Sequence, residues 1–153
     1  TELNMPCPCQ KLKVNGKVYE ACCEPYHLGL KAPSAQLLMG SRFSAYVLGL
    51  ADYLRQTWQA EHCPKDLSHE PDNTWLKLDI IKANKNQVEF KAFFKDSSGF
   101  NVLHETSDFI FENGQWLYVS GDTHVKRFQP ERNHICLCGS GKKYKKCCAK
   151  DTA

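Results

Sequence analysis

The chain has 153 residues, 42% of them hydrophobic and 24% charged, with a formal net charge of +3. That length suits one domain of ordinary size with small appendages, and the composition excludes disordered, collagen-like and fibrous classes. No apolar run approaches the roughly 18–20 residues of a membrane span, and no export signal opens the sequence, so a cytoplasmic protein is expected.

Nine cysteines are a dense count for such a chain, and eight of them sit near its two ends. Persistent disulfides are rare in the cytoplasm, so clustered thiols point to metal. The first cluster is Cys7-Pro8-Cys9 with Cys22-Cys23, twelve residues separating the two pairs. Between them, Lys13–Val18 reads as a small hairpin turning at Asn15-Gly16.

From Ser34 to about Trp58 the apolar residues Met39, Phe43, Tyr46, Val47, Leu50, Leu54 and Trp58 recur at steps of three and four. This predicts a helix with one core-facing stripe, started by Ser34 as N-cap and broken in two near Gly49. Cys63, between His62 and Pro64, reads as an ordinary thiol in the loop that follows. A Cys–His nucleophile would need a third, orienting group that the sequence does not offer there.

From Trp75 the period becomes two. Residues 75–82, 88–95, 102–111 and 116–121 are predicted strands, joined by turns at Asn84-Lys85-Asn86, Asp96-Ser97-Ser98-Gly99 and Asn113-Gly114. Helices followed by an antiparallel meander indicate an α+β domain, a curved sheet wrapped on helices, over about 30–125.

The tail is basic: residues 126–150 carry eight Lys/Arg and one acid, giving +7, whereas residues 1–125 sum to −3. Within it, Cys136, Cys138, Cys147 and Cys148 form two pairs eight residues apart, a spacing that can close a tetrahedral four-thiolate zinc site. So short a tail has no core of its own, and the metal would supply its folding energy. Gly139-Ser140-Gly141-Lys142 is not a phosphate loop, because Cys136 stands where the first Gly is needed and Lys143 where Ser/Thr is needed.

The run Cys136–Cys148 resembles the SEC-C zinc motif. Together with Leu38–Tyr46, Tyr53–Trp58 and Asn113-Gly114-Gln115-Trp116, it makes the whole chain resemble the YchJ family of bacterial proteins. That resemblance implies an NTF2-like cone for the middle and an SEC-C knuckle at each end, hence segments 1–29, 30–125 and 126–153. It also implies two Zn²⁺ per chain, on Cys136, Cys138, Cys147 and Cys148 and on Cys7, Cys9, Cys22 and Cys23. Four thiolates close the coordination sphere, so both sites read as structural.

Three functional readings follow. The first is a protein-interaction module whose Lys142, Lys143, Lys145 and Lys146 meet an acidic partner surface. The second is an enzyme or ligand binder using the cone's pocket, with Arg42, Tyr53, His104 and Asp108 as lining candidates; Asp108 or Glu105 would satisfy Arg42. The third is nonspecific nucleic-acid binding through the tail. Catalysis ranks below docking, because a fold alone does not imply an activity.

Overall fold

A computed structural model describes residues 6–10, 16–64, 74–137 and 142–149. Three helices, α1 (Glu24–His27), α2 (Ala35–Leu48) and α3 (Ala51–Gln56), precede four strands: β1 (Thr74–Ala83), β2 (Gln87–Asp96), β3 (Gly99–Glu112) and β4 (Gln115–Arg127). The strands form one antiparallel sheet in the order β1-β2-β3-β4. No helix among the described residues is long and apolar enough to cross a membrane.

Local chemistry sets the boundaries. The Ser34 side chain accepts from the Leu37 N–H, satisfying one of the donors left open at the start of α2. Gly49 ends that helix at φ 75°, so the expected break falls there and α3 begins two residues later. Asn113 and Gly114 both have positive φ, the pairing a two-residue hairpin turn of the right twist requires. The Asn84 side chain caps the β1–β2 turn by accepting from the Asn86 and Gln87 N–H groups, and Asp96 does the same for Ser98 in the β2–β3 turn.

Both faces of the sheet are covered. On one, α2 packs across the strands with Leu38, Met39 and Phe43 against Leu78, Val88, Phe90, Ala92 and Phe109. On the other, Leu76, Phe93 and Phe100 lie under the C-terminal segment, packed with Leu137 and Tyr144. A register step between Trp75 and Lys77 divides β1 between these two cores. The extra residue leaves Trp75 and Leu78 facing the helices and turns Leu76 to the opposite side.

The helical stripe differs from its expected composition. Met39, Phe43 and Leu54 are buried, but Tyr46 and Val47 are exposed, while Ser41, Arg42 and Ser44 are buried. Small side chains occupy that side of α2 because the N-terminal cysteine segment docks against it, with Cys9 Sγ lying 3.6 Å from where a Cβ on Gly40 would be. β4 is also longer than expected, its last residues continuing to pair with β3 as far as Arg127 opposite Asn101.

Candidate metal centres and the cavity between helix and sheet

The N-terminal cluster assembles from a β-bridge and two short 3-10 turns, the first at Pro8–Gln10. Pro6 bridges Val18 and the Cys7 N–H donates to Lys17 O, bringing the two thiol pairs together. Tyr19–Ala21 then makes a 3-10 turn that delivers Cys22 and Cys23. Of the hairpin expected over 13–18, the stretch 13–15 lies outside the described residues.

All four sulfurs lie within 4.8 Å of one another. The separations are 3.7 Å for Cys7–Cys9, 3.5 Å for Cys9–Cys22, 3.5 Å for Cys9–Cys23 and 3.9 Å for Cys22–Cys23. Thiolates placed tetrahedrally at about 2.3 Å from a zinc ion would be about 3.8 Å apart, so the donor set and its spacing fit that metal. Disulfide-bonded sulfurs would lie near 2.05 Å, and these cysteines are unbridged.

Ser44 supports the cluster from α2. Fully buried, it accepts from the Cys9 N–H at 3.2 Å, its hydroxyl donates to Cys23 Sγ at 3.2 Å, and it lies 3.5 Å from Cys7 Sγ. Such outer contacts orient ligands and hold their charge. A second link runs from the Tyr19 hydroxyl to His27 Nδ1, from His27 Nε2 to Ser41 O, and from Ser41 Oγ to the Tyr53 hydroxyl. The cluster is therefore continuous with the main core, since Cys7, Cys9 and Cys23 share it with Leu38, Phe43 and Leu78.

The C-terminal cluster repeats the same local geometry. Ile135 bridges Lys143 and the Cys136 N–H donates to Lys142 O, as Pro6, Val18, Cys7 and Lys17 do at the other end. Tyr144–Lys146 is a 3-10 turn leading into Cys147-Cys148, as Tyr19–Ala21 leads into Cys22-Cys23. Backbone angles at Cys22 (−122°, −89°) and Cys147 (−130°, −108°) nearly coincide. A common Tyr-x-x-Cys-Cys pattern underlies the match and was readable in the sequence. Cys136, Cys147 and Cys148 bring their sulfurs within 4.8 Å of one another, and Cys138 lies outside the described residues. Because the two clusters pack on opposite faces of the sheet, exchange of ligands between them is excluded for the described cysteines.

The remaining predicted site residues separate. Lys142, Lys143 and Lys146 are exposed and Lys145 half-buried around Tyr144, which is turned inward against Phe100 with ring centres 5.8 Å apart. His134 pairs with Glu131 at 3.2 Å on the surface and stays outside the thiol cluster. Half-buried Cys63 contacts Pro64 O, while His62 is bound to Gln59. Tyr53 belongs to the Ser41–His27 link.

A cavity of about 160 Å³ lies between α2 and the sheet, lined by Arg42 and Glu105 among the aromatic rings of Phe43, Tyr46, Trp75 and Tyr118. His104 and Asp108 do not reach it. They point from β3 to the side away from α2, where His104 Nε2 meets Glu89 at 2.7 Å and Asp108 accepts from Gln87. On a strand, Leu103, Glu105, Ser107 and Phe109 share one face, and that face looks toward the helices.

Arg42 is 2% exposed. Its Nη1 donates to Leu54 O at 2.8 Å and to Thr57 Oγ1 at 2.7 Å, and the guanidinium lies 4.8 Å and 4.6 Å from the Trp58 and Tyr118 ring centres. Glu105, 7% exposed, accepts from the Ser107 and Tyr118 hydroxyls on Oε2. The Tyr118 phenol is pushed well above its ordinary value, by burial first and then by the Glu105 carboxylate. A Cβ on Gly121 would lie 2.6 Å from Glu105 Cδ. Gly121→Ala should therefore lower stability by about 1–3 kcal/mol in urea unfolding, the range for overpacking; an unchanged midpoint would show that Glu105 can move aside.

A family model described as "YchJ, middle NTF2-like domain" matches residues 34–121, and one for the SEC-C motif matches residues 132–150. The chain belongs to the YchJ family. Its relatives include UPF0225 proteins of Shewanella sp. (strain ANA-3), 39% identical over 94% of this chain and 96% of that one, and of Serratia proteamaculans, 42% identical over 94% and 97%. Among solved structures, a SEC-C motif containing protein from Psychrobacter arcticus superposes with TM-score 0.61 at 27% identity, covering 98% of this chain and 99% of the other. One from Rhodopseudomonas palustris gives 0.66 at 29% identity, covering 77% and 98%. The NTF2-like cone and the Cys clusters at both ends are thus those of a YchJ chain, and the N-terminal cluster repeats the SEC-C geometry outside the stretch that the motif model matches.

Proposed function

We propose that the protein is a zinc-stabilised docking module, with one structural Zn²⁺ in each cysteine cluster and the C-terminal knuckle as its partner-binding surface. The observation that carries the reading is the division of labour around Tyr144. Its ring anchors the knuckle to Phe100 and the sheet, while Lys142, Lys143 and Lys146 remain on the outside. Zinc fits this role because four thiolates leave no open position for a substrate or an activated water. A fixed knuckle carrying closely spaced cations favours an acidic protein surface, with attraction that speeds encounter and weakens as salt rises.

The test uses the full zinc-loaded chain as bait, beside Lys142/Lys143/Lys145/Lys146→Ala and the matching →Arg form. Partners should be retained by wild type and the Arg form, and lost by the Ala form. Identical partner lists for all three would overturn the reading. Salt-sensitive retention on single-stranded nucleic acid, without protein partners, would transfer the lysines to a nucleic-acid role.

A further inference from the structure

The cavity between α2 and the sheet holds an unusual pair of charges. Arg42 and Glu105 are both buried and both line it, yet no ion pair joins them within 4.0 Å. A guanidinium carries five N–H groups. Two hydrogen bonds leave from Nη1 to Leu54 O and Thr57 Oγ1, and the Tyr46 phenol lies against the same guanidinium. The rest of the fork has no carboxylate or carbonyl partner among the described residues. On the other wall, Glu105 Oε2 takes both hydroxyl bonds and Oε1 takes none. No fully enclosed side-chain oxygen or nitrogen among the described residues lacks a partner. Oε1 therefore opens onto free space, and the space Glu105 borders is this cavity.

Size and charge then define what fits. An apolar protein cavity of about 150 Å³ accommodates benzene, and the present one is about 160 Å³ with walls of Phe43, Trp75, Phe90 and Tyr118. A lone anion would gain from Arg42 and be opposed by Glu105; a lone cation would meet the reverse, and both would lose their hydration. We infer that the cavity binds a small ring molecule of zero net charge that offers an oxygen acceptor to Arg42 and an N–H donor to Glu105. The aromatic walls take the ring, and the two charges fix its direction. This assignment stands independently of docking by the knuckle, which lies on the opposite face of the sheet.

Benzamide, benzoate and benzylammonium share one ring and differ in charge, so they serve as probes. Each is titrated into the full zinc-loaded chain while the indole N–H resonances of Trp75, in the wall, and Trp58, over Arg42, are followed by NMR. Benzamide should shift Trp75 saturably, with the two ions at least about tenfold weaker because each meets a like charge among apolar walls. Leu103→Phe, which fills the cavity while leaving both charges, should abolish the benzamide response in a chain whose other resonances are preserved. Glu105→Gln removes the negative wall and should bring benzoate above benzamide. The assignment is overturned if benzamide gives no saturable shift by about 10 mM, tenfold above a millimolar Kd. It is equally overturned if wild type binds benzoate or benzylammonium as well as benzamide, or if Leu103→Phe leaves benzamide binding intact.

Discussion

Cys23→Ser is expected to cost the chain about one bound zinc and most of its folded population at 37 °C, whereas Cys148→Ser should cost one zinc and leave the cone standing. The difference lies in where each cluster is packed. Cys23 is buried in the same core as Leu38, Met39, Phe43 and Leu78, and Ser44 of α2 donates to its sulfur. Loss of the proposed zinc would leave the buried Cys7 and Cys9 thiols, the half-buried Cys22 thiol and the buried Ser44 hydroxyl without their organising charge. Structural zinc sites contribute on the order of 10 kcal/mol at neutral pH, against a total stability of about 5–15 kcal/mol for a domain. Cys148 instead lies under the outer face with Leu76, Phe93, Phe100 and Tyr144. Its loss should raise amide exchange over 132–149 and shift the main melting transition only modestly. Metal analysis with thermal melting of both variants decides the matter: metal-free wild-type protein, or equal destabilisation by the two substitutions, would defeat it.

Arg42→Met should destabilise by about 2–5 kcal/mol, because two acceptors, Leu54 O and Thr57 Oγ1, lose their charged donor at about 1–3 kcal/mol each. Four groups depend on the guanidinium: Leu54 O and Thr57 Oγ1, which hold the end of α3, and the Trp58 and Tyr118 rings that enclose it. The backbone beyond α3 bonds to β4 at the same place, with the Tyr118 N–H donating to Thr57 O and the Gln59 N–H to Tyr118 O, each at 2.8 Å. Arg42 thus ties α2, α3 and the β4 edge at one point. Tyr118 also donates to Glu105, so the two buried charges share a partner without touching. Arg42→Met with Glu105→Gln should accordingly cost at least about 1 kcal/mol less than the two changes summed, as coupled neighbours do. Strict additivity in urea unfolding would show that the charges act separately.

Features governed by near neighbours in sequence were legible before the structure. Ser34, Gly49 and Asn113-Gly114 set the ends of elements through their own backbone and side-chain chemistry, and the cysteine pairs showed their grouping through spacing. What depended on distant chain did not show. Alternation along β3 separates His104 and Asp108 from Glu105 and Ser107, but both sets keep apolar company, Val102 and Ile110 on one side, Leu103 and Phe109 on the other. The apolar residues on the outer side include Phe100 and Val102, which serve the C-terminal knuckle, a partner that no local pattern announces. For the same reason the sequence offers Asp108 and Glu105 alike as the carboxylate facing Arg42. The Tyr-x-x-Cys-Cys repeat, and the small residues Gly40 and Ser44 on α2, were readable signals that the N-terminal knuckle follows the C-terminal geometry and lies close against that helix.

The single extra residue in β1 has a consequence for how this chain can vary over evolution. By sending Leu76 outward while Trp75 and Leu78 stay inward, it gives the sheet two interiors at one end, where the consecutive Phe93 and Phe94 are both buried. A strand with one wet face tolerates exchange at every second position; here neither residue of that pair is free to drift. Tolerance should concentrate instead at Lys91, farther along β2, where the side chain reaches solvent. Deleting one residue at the step would pull Leu76 back among the helix-facing side chains and remove the C-terminal knuckle's footing, so insertions and deletions in β1 should be rarer among relatives than in the turns on either side.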